Sequence, residues 1–238
     1  PGDTIVLHRG VHSGPVILDR TLTIRGEPGA VLDGGGRGTV LRVEASGCRV
    51  EDLTIRSSGR RVLTTDSGIH VRGAAQILLR RLEIRDVLYG VYAERSGGIT
   101  IDSCDLTGTA APGAEVGEGN GVHLWYCERP TVRGCSVERF ADAAYLSFTS
   151  DAMIEDSRFE WNVRYGFHTM YCQSNRLTRN RFAHNLAGCA IMFSNHLVVE
   201  QNDFVHNRGP RTYGLLLRDC SDGIFLAVGP GVTPRALE

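Results

Sequence analysis

The stretch "DAAYLSFTSDAMIEDSRF" (142–159) is followed by "YGFHTMYCQSNRLTRNRF" (165–182) and then by "AGCAIMFSNHLVVEQNDF" (187–204). The three stretches align with one another, and three earlier stretches of the chain align with them. A small residue holds the second place in all six units, namely Gly68, Gly90, Gly121, Ala143, Gly166 and Gly188. Its spacing is 22, 31, 22, 23 and 22 residues. The chain therefore contains an internal sequence repeat with a period of about 22 residues.

Each unit contains two or three short alternating apolar segments that are separated by Gly, Asn, Asp and Ser. This pattern is typical of short strands and lacks the period of a helix. A unit of this length cannot bury its own apolar face, so it must stack on its neighbours as one coil of a solenoid. The sequence predicts an all-β protein, a right-handed parallel β-helix over residues 1–222. Residues 223–238 lose the repeat, which predicts an irregular tail that is truncated or frameshifted.

Composition excludes several classes of function. The chain has 238 residues, a net charge of −1 and 26 basic residues, all of them arginine. This balance argues against a nucleic-acid-binding protein, and the missing lysine excludes Schiff-base chemistry. The seven cysteines form no CxxC pair, and no apolar run reaches the length of a membrane span. The opening "PGDTIVL" already resembles a turn and a strand, so we expect the chain to be cut from a longer precursor.

Strict alternation within each strand predicts which side chains face the core. On this basis Tyr126, Phe148, Tyr171 and Phe193 form an aromatic stack inside the solenoid. Two polar columns are also expected to be structural, because stacked amides at turns bond one another and the backbone. They are Asn162, Asn185 and Asn207 in one column, and Cys104, Cys135, Ser157, Asn180 and Asn202 in the other.

The opposite, outward positions change character along the chain. Early units carry ordinary polar residues there, whereas later units carry His123, Trp125, Cys127, Tyr145, His168, Met170, Cys172 and Met192. Thioether, imidazole and thiolate groups together favour Cu(I) over hard cations. The sequence therefore predicts a transient copper site from His123, His168, Met170, Met192 and Cys172. A protein-docking face that includes Trp125, Tyr145 and Cys127 is the competing interpretation, because Met, Trp and Tyr are favoured at interfaces.

Three insertions interrupt the period, at 57–66, 107–118 and 208–213. All three leave between the last strand of one coil and the first strand of the next. They should therefore line one edge of the outward surface just described, and loops on one side of a solenoid commonly mark its binding side.

The motifs "GNGVHLWYC", "RYGFHTMYC" and "YGLLLRDCS", with the opening stretch from "PGDTIVL", resemble the NosD family. The resemblance covers roughly residues 1–222. It implies a non-enzymatic periplasmic protein that helps to mature the copper centre of nitrous oxide reductase. The implied partners are the ABC transporter subunits NosF and NosY, the copper lipoprotein NosL and the reductase apoenzyme. By position, the family's histidine and methionine residues correspond to His123, His168 and Met170.

Two other functions remain open at this point. Parallel β-helices often bind or cleave polysaccharides, which requires clustered carboxylates. The repeat scatters the candidates Asp102, Asp105, Asp151 and Asp156 over turns and separate coils. An adhesive or spacer solenoid would explain the fold but leaves the His, Met and Cys residues of the outward strand unexplained.

Overall fold

The computed structural model describes residues 2–111, 114, 117–208, 213–226 and 235–237, and of 224–226 and 235–237 the backbone only. Its first strands are β1 Asp3–Leu7, β2 Gly10–Ser13, β3 Val16–Leu18, β4 Leu22–Gly26, β5 Ala30–Asp33, β6 Leu41–Val43, β7 Arg49–Arg56, β8 Ser67–Arg72, β9 Leu78–Arg85, β10 Tyr89–Glu94, β11 Thr100–Asp102, β12 Asp105–Thr107 and β13 Asn120–Trp125. The later strands are β14 Thr131–Arg133, β15 Ser136–Glu138, β16 Asp142–Ser147, β17 Met153–Glu155, β18 Arg158–Glu160, β19 Tyr165–Met170, β20 Arg176–Thr178, β21 Arg181–Ala183, β22 Ala187–Met192, β23 Val198–Glu200, β24 Asp203–Val205, β25 Leu215–Arg218, β26 Ile224–Leu226 and β27 Arg235–Leu237. One 3₁₀ turn, Val62–Thr64, lies in the first insertion.

Every pairing between these strands is parallel, and each coil contributes one strand to each of three walls. The first wall runs from β1 through β4, β7, β9 and β11 to β26. The second wall runs from β2 through β5 to β24 and shares the long strands β7 and β9 with the first. The third wall contains β3, β6, β8, β10, β13, β16, β19, β22, β25 and β27. The predicted parallel β-helix is confirmed, and stacked positions are 22 or 23 residues apart where no loop intervenes.

The recurring small residue is required by close approach of neighbouring coils. A Cβ atom on Gly121 would lie 2.2 Å from Cγ1 of Val137 and 2.6 Å from the carbonyl oxygen of Ala143. Contacts this short have no room for a side chain beyond hydrogen. The feature that reveals the repeat in the sequence is therefore a packing requirement of the fold.

Buried rings and amides hold the coils in register. Phe159, Phe182 and Phe204 stack inside the solenoid with ring centroids 5.3 and 5.2 Å apart. The side chain of Asn185 accepts from the backbone N–H and the side-chain amide of Asn162, at 2.9 and 3.0 Å. Each such bond contributes roughly 1 kcal/mol, and leaving a buried amide unpaired costs about 1–3 kcal/mol. Both predicted polar columns are confirmed as structural.

The four predicted aromatic rings do stack, but the prediction that they face the core is wrong. Tyr126, Phe148 and Tyr171 are 44%, 43% and 48% exposed, and they stack on the outside of the solenoid together with Phe193. We call these four rings the aromatic ladder. The reason is a break in alternation, because each ring belongs to a left-handed residue with φ between 49° and 56°.

A left-handed residue turns the chain at a bend between two walls, so it points outward and the next residue points inward. The residues that follow the ladder are Cys127, Thr149, Cys172 and Ser194, and all four are buried. The outward orientation predicted for Cys127 and Cys172 is therefore also wrong. A left-handed conformation costs a residue with a side chain roughly 1–2 kcal/mol, and ring stacking offsets part of that cost.

The insertions leave from one corner, as predicted. Residues 57–66 connect β7 to β8, residues 107–118 connect β12 to β13, and residues 208–213 connect β24 to β25. The first two loops touch, since Arg60 donates to the Oγ1 of Thr109 at 3.1 Å. Residues 112, 113, 115, 116 and 209–212 lie outside the described part of the chain.

The predicted boundary at residue 222 stays a prediction. Strand β26 pairs with β23 and strand β27 pairs with β25, so two short strands lie within the segment expected to be irregular. Residues 227–234 and 238 lie outside the described part. Among the described residues, no helix has the length and apolar character that a bilayer crossing requires.

Candidate functional site

The outer face of the third wall consists of two columns of side chains that run along the solenoid axis. The histidine–tyrosine column contains His70, Tyr92, His123, Tyr145, His168, Ala190 and Leu216. The methionine column contains Arg72, Glu94, Trp125, Ser147, Met170, Met192 and Arg218. The predicted candidates His123, His168, Met170 and Met192 therefore share this face, together with Trp125 and Tyr145.

Cys127 and Cys172 do not belong to this face. Each is 1% exposed and packs in the hydrophobic core. Burial raises the pKa of each thiol to about 11. A metal ligand is the thiolate, which such an environment disfavours. We therefore remove Cys172 from the candidate ligands and Cys127 from the candidate docking residues.

Histidine and tyrosine alternate in register in the first column, so the two candidate histidines are not neighbours. The ring centroid of Tyr145 lies 4.8 Å from that of His123 and 4.8 Å from that of His168. One cation cannot be held by both imidazoles across an intervening ring, since metal–nitrogen bonds are about 2.0–2.1 Å long for zinc and similar for other transition metals. The structure separates the predicted set into two sites.

His168 is held from behind by a buried carboxylate. Asp142 is fully buried, and its Oδ2 lies 3.2 Å from Nδ1 of His168. The guanidinium of Arg164 donates to both carboxylate oxygens, at 2.9 and 2.7 Å. The same carboxylate accepts the Nδ1–H of the imidazole, so Nε2 carries the lone pair whenever this ring is neutral. That Nε2 atom is buried and has no partner among the described residues.

In His123 the ring proton lies on Nε2 and the acceptor nitrogen is Nδ1. The Oδ1 of Asn120 accepts the backbone N–H of Asp142 at 3.3 Å, which fixes the orientation of the amide. Its Nδ2 then donates to Nδ1 of His123 at 3.0 Å. Because Nδ1 is the acceptor, the ring proton resides on Nε2. Burial lowers the pKa of His123 to about 4, so this imidazole is neutral near pH 7 and presents an N–H donor.

Met170 and Met192 are paired in register on neighbouring strands of the third wall. Neighbouring strands lie about 4.8 Å apart, and alternate residues on one strand are about 6.6 Å apart. Flexible thioethers can converge over these distances, and His168 lies two residues before Met170. An imidazole nitrogen and two thioethers are the kinds of donor that a soft cation such as Cu(I) prefers.

Trp125 and Tyr145 line a shallow depression of about 270 Å³ together with Tyr92, His123 and Ser147. The aromatic ladder borders it, since Tyr126 packs edge-on against Trp125 at 5.2 Å. The aromatic and methionine side chains of the two columns are partly exposed, three rings of the ladder are exposed, and this composition is typical of protein interfaces. Within the described ranges, no three His, Cys, Asp or Glu residues gather where they could hold a metal ion.

Sequence reasoning missed Asp142, Asn120 and Arg164, which determine the proton positions of the two histidines. A signal was present, because Asp142 and Asn120 occupy the first place of their units, where Ser67 and Tyr89 precede them. A carboxylate there begins a strand that enters the core, so it requires a buried partner. The partner, Arg164, lies 22 residues further on, at the corresponding turn of the next coil.

A family model described as "Right handed beta helix region" matches residues 67–227, more than half of the chain. The chain belongs to the right-handed β-helix family. The predicted handedness is thereby confirmed.

Within this right-handed β-helix family the chain is NosD-like, and the predicted resemblance is confirmed. It is 32% identical over 137 residues to the "Probable ABC transporter binding protein NosD" of Pseudomonas aeruginosa, which covers 57% of this chain and 32% of the relative. It is 26% identical over 120 residues to the protein of the same name from Stutzerimonas stutzeri, with 50% and 27% covered. The chain thus spans about a third or less of the length of these relatives.

Solved structures with this β-helix fold have diverse functions. The adhesin PfbA of Streptococcus pneumoniae superposes with a TM-score of 0.73 at 9% identity, over 92% of this chain and 69% of the adhesin. The A-module of the mannuronan C-5 epimerase AlgE6 of Azotobacter vinelandii gives 0.68 at 13% identity, over 91% and 71%. Likeness at these identities shows the fold alone.

Proposed function

We propose that this NosD-like chain is a non-enzymatic, periplasmic accessory module of an ABC transporter in copper-centre maturation. In this role it holds Cu(I) transiently on the outer face of the third wall and docks partner proteins beside it. The partners proposed are NosF and NosY of the transporter, the lipoprotein NosL and the nitrous oxide reductase apoenzyme. The relatives are named as probable ABC transporter binding proteins, which supports the association with a transporter.

The observation that carries the copper part is the buried Nε2 of His168, which has no hydrogen-bond partner among the described residues. Asp142 and Arg164 fix this imidazole from behind, and Nε2 has no partner in the described part of the chain. Met170 and Met192 lie on the same face, in register with each other. Few charged ligands are present, which suits a site that binds and releases Cu(I) over one that retains it. Copper is therefore the cargo in this proposal.

The docking part is supported by the exposed aromatic surface next to these residues. Trp125 and Tyr145 lie on the same face as Met170 and Met192. The aromatic ladder extends this surface by one further column, with three of its rings more than 40% exposed. Contiguous exposed and partly exposed aromatic and methionine side chains mark a protein-interaction surface more often than an ordinary solvated face.

A polysaccharide-cleaving function receives less support from the carboxylates. Asp102 is ion-paired with Arg133 at 2.8 Å, and Asp156 with Arg179 at 2.7 Å. Asp102 lies on the first wall and Asp156 at the bend between the first and second walls, and neither lines the depression of the third wall. A glycosidase needs two carboxyl groups that face one glycosidic bond. Release of reducing ends or unsaturated sugars from a panel of polysaccharides would overturn the non-enzymatic assignment.

Anaerobic titration with Cu(I) against a chromophoric competitor tests the proposal. The double variant His168→Ala, Met170→Ala should bind Cu(I) at least about ten-fold more weakly than the unaltered chain, because it loses two of three donors. The matched controls are His123→Gln, whose imidazole presents an N–H, and Cys172→Ala, whose thiol is buried. Both controls should bind like the unaltered chain. Equal, weak binding by all four proteins would remove the copper role and leave docking alone.

A further inference from the structure

The depression beside Trp125 is distinct from the donors proposed for copper. It has a volume of about 270 Å³ and is lined by Tyr92, His123, Trp125, Tyr145 and Ser147. His168, Met170 and Met192 do not line it. A space of this size is slightly smaller than a typical small-molecule pocket and suits one inserted side chain.

The floor of the depression presents hydrogen-bond donors. His123 carries its proton on Nε2, since Asn120 donates to its Nδ1 at 3.0 Å. The indole N–H of Trp125 and the hydroxyl group of Tyr92 have no hydrogen-bond partner among the described residues, whereas the hydroxyl group of Tyr145 interacts with Ser147. Burial raises the pKa of Tyr92 to about 12, so its hydroxyl is protonated near pH 7. A ligand here must therefore supply acceptors.

The neighbouring carboxylates cannot supply them. Glu94 lies 3.3 Å from Nε2 of His70 and 3.2 Å from Nε of Arg72. Asp142 is fully buried and is occupied by Arg164 and His168. Both acidic groups are thus already paired, and neither lines the depression. The donors of the floor are left for an incoming group.

The positively charged side chain of Arg95 lies at the rim of the depression. The guanidinium of Arg95 lies 5.4 Å from the ring centroid of Trp125 and 5.5 Å from that of Tyr126. Arg95 forms no ion pair with any residue in the described ranges. A positive charge stacked on aromatic rings keeps its fork of N–H groups available for a carboxylate.

We propose that this depression binds a carboxylate, supplied by an acidic side chain within an apolar segment of a protein partner. The donors and Arg95 match the charge of a carboxylate, and the rings of Trp125 and Tyr145 match an apolar stem. An anionic polysaccharide would instead need a cation at each successive sugar, whereas the rungs that follow Arg95 at this bend are Tyr126 and Phe148. The protein nature of the partner rests on the proposed function, and the preference for a carboxylate does not.

Fluorescence of Trp125 provides the readout. The chain has two tryptophans, so a Trp161→Phe background leaves Trp125 as the only indole. Titration with benzoate should give a saturable change, and the neutral isostere benzamide should bind about ten-fold more weakly. Arg95→Gln and His123→Phe should each weaken benzoate about five-fold or more. Arg129→Gln is the matched control at the next bend, where Arg129 pairs with Glu128, and should change nothing.

Equal responses to benzoate and benzamide, or benzoate binding that both variants leave unchanged, would overturn the carboxylate site. Circular dichroism and thermal unfolding of each variant establish that the fold is retained. These outcomes are independent of the Cu(I) titration, because the probe and the substituted residues are different.

Competition identifies the source of the carboxylate. An acetylated Leu-Glu-Phe amide should displace benzoate, and its Leu-Gln-Phe counterpart should not. A mannuronate trimer should displace benzoate no better than the glutamine peptide. Stronger displacement by the mannuronate trimer than by the glutamate peptide would overturn the protein partner in favour of an acidic polysaccharide.

Discussion

The first and third walls have the same backbone but very different outer faces. On the first wall, one column reads Arg25, Glu51, Arg80, Asp102, Arg133 and Glu155, so that charge alternates from coil to coil. Ion pairs such as Arg80–Glu51 and Arg133–Asp102, both at 2.8 Å, join neighbouring rungs. The equivalent columns of the third wall change to His, Tyr, Trp and Met.

The two walls differ in how many polar groups and how much aromatic surface remain available to a binding partner. Alternating charges on the first wall pair with one another from coil to coil, and the atoms there without a partner among the described residues are Nε of Arg80 and Oγ1 of Thr178. On the third wall a buried carboxylate orients His168, whose Nε2 has no partner within the described ranges, and the rings of the aromatic ladder stay exposed. A binding partner can form hydrogen bonds with unpaired donors and acceptors and can bury exposed apolar area, and the third wall offers both.

Removing one acidic residue from each wall should give the largest contrast. Asp142→Ala should lower the free energy of unfolding by about 3 kcal/mol, because it strands the partners of a fully buried carboxylate. Asp102→Ala on the first wall should cost about 1 kcal/mol or less, as for a pair at the surface. Urea denaturation of both variants measures the difference. Equal losses would mean that Asp142 is no more than another rung of the charge ladder.

The walls should also differ in the pH range over which they lose stability. The pKa of His123 is about 4 in the folded chain and near 6.5 when unfolded, so the unfolded state binds more protons between these values. Its contribution is complete above pH 6.5 and declines by roughly 2–3 kcal/mol as the pH falls to 4. Hydrogen bonds from arginine lower the pKa of Asp52, Asp102 and Asp156, so their contribution is lost only below the unfolded value of 3.8.

The variant His123→Phe should therefore flatten the stability profile between pH 6.5 and 4, measured by urea denaturation at several pH values. His196→Gln, which replaces an exposed histidine, is the control and should leave the slope unchanged. A slope that persists in His123→Phe would assign the acid sensitivity to other groups.

The aromatic ladder should make a smaller contribution that does not depend on salt. Tyr171→Asn keeps a residue that tolerates the left-handed conformation and removes two stacked contacts, at 5.1 and 5.0 Å, which should cost about 1 kcal/mol. Arg179→Asn at a left-handed bend beside the first wall should give a loss that disappears in concentrated salt. Thermal unfolding at low and high salt distinguishes them. A salt-dependent loss for Tyr171→Asn would contradict the stacking explanation.

The sequence predicted the coil length, the parallel stacking, both polar columns and the corner from which the loops leave. Several coils carry the same sequence pattern for each of these features, so the prediction does not depend on any single coil. Side-chain direction next to the bends was not predictable from alternation, because a single left-handed residue such as Tyr126 or Tyr171 exchanges inside and outside. Glycine or asparagine at the same bend would have indicated the conformation, but an aromatic residue does not.

The proton positions of the candidate histidines could not be predicted either. They depend on which atom of Asp142 or Asn120 faces each ring, and that depends on the stacking of adjacent coils. The repeat placed His123 and His168 on one face but did not show that Tyr145 separates them. Pairing partners 22 to 34 residues apart are visible only once the coils are superposed.

Binding at the outer face of the third wall is tested by co-purification with the proposed transporter subunits NosF and NosY, using one double variant on each wall. Trp125→Ala, Tyr171→Asn should reduce recovery of the subunits by about ten-fold, whereas Arg133→Ala, Arg179→Asn should recover them like the unaltered chain. Loss of the subunits with the first-wall variant, and retention with the third-wall variant, would contradict the claim.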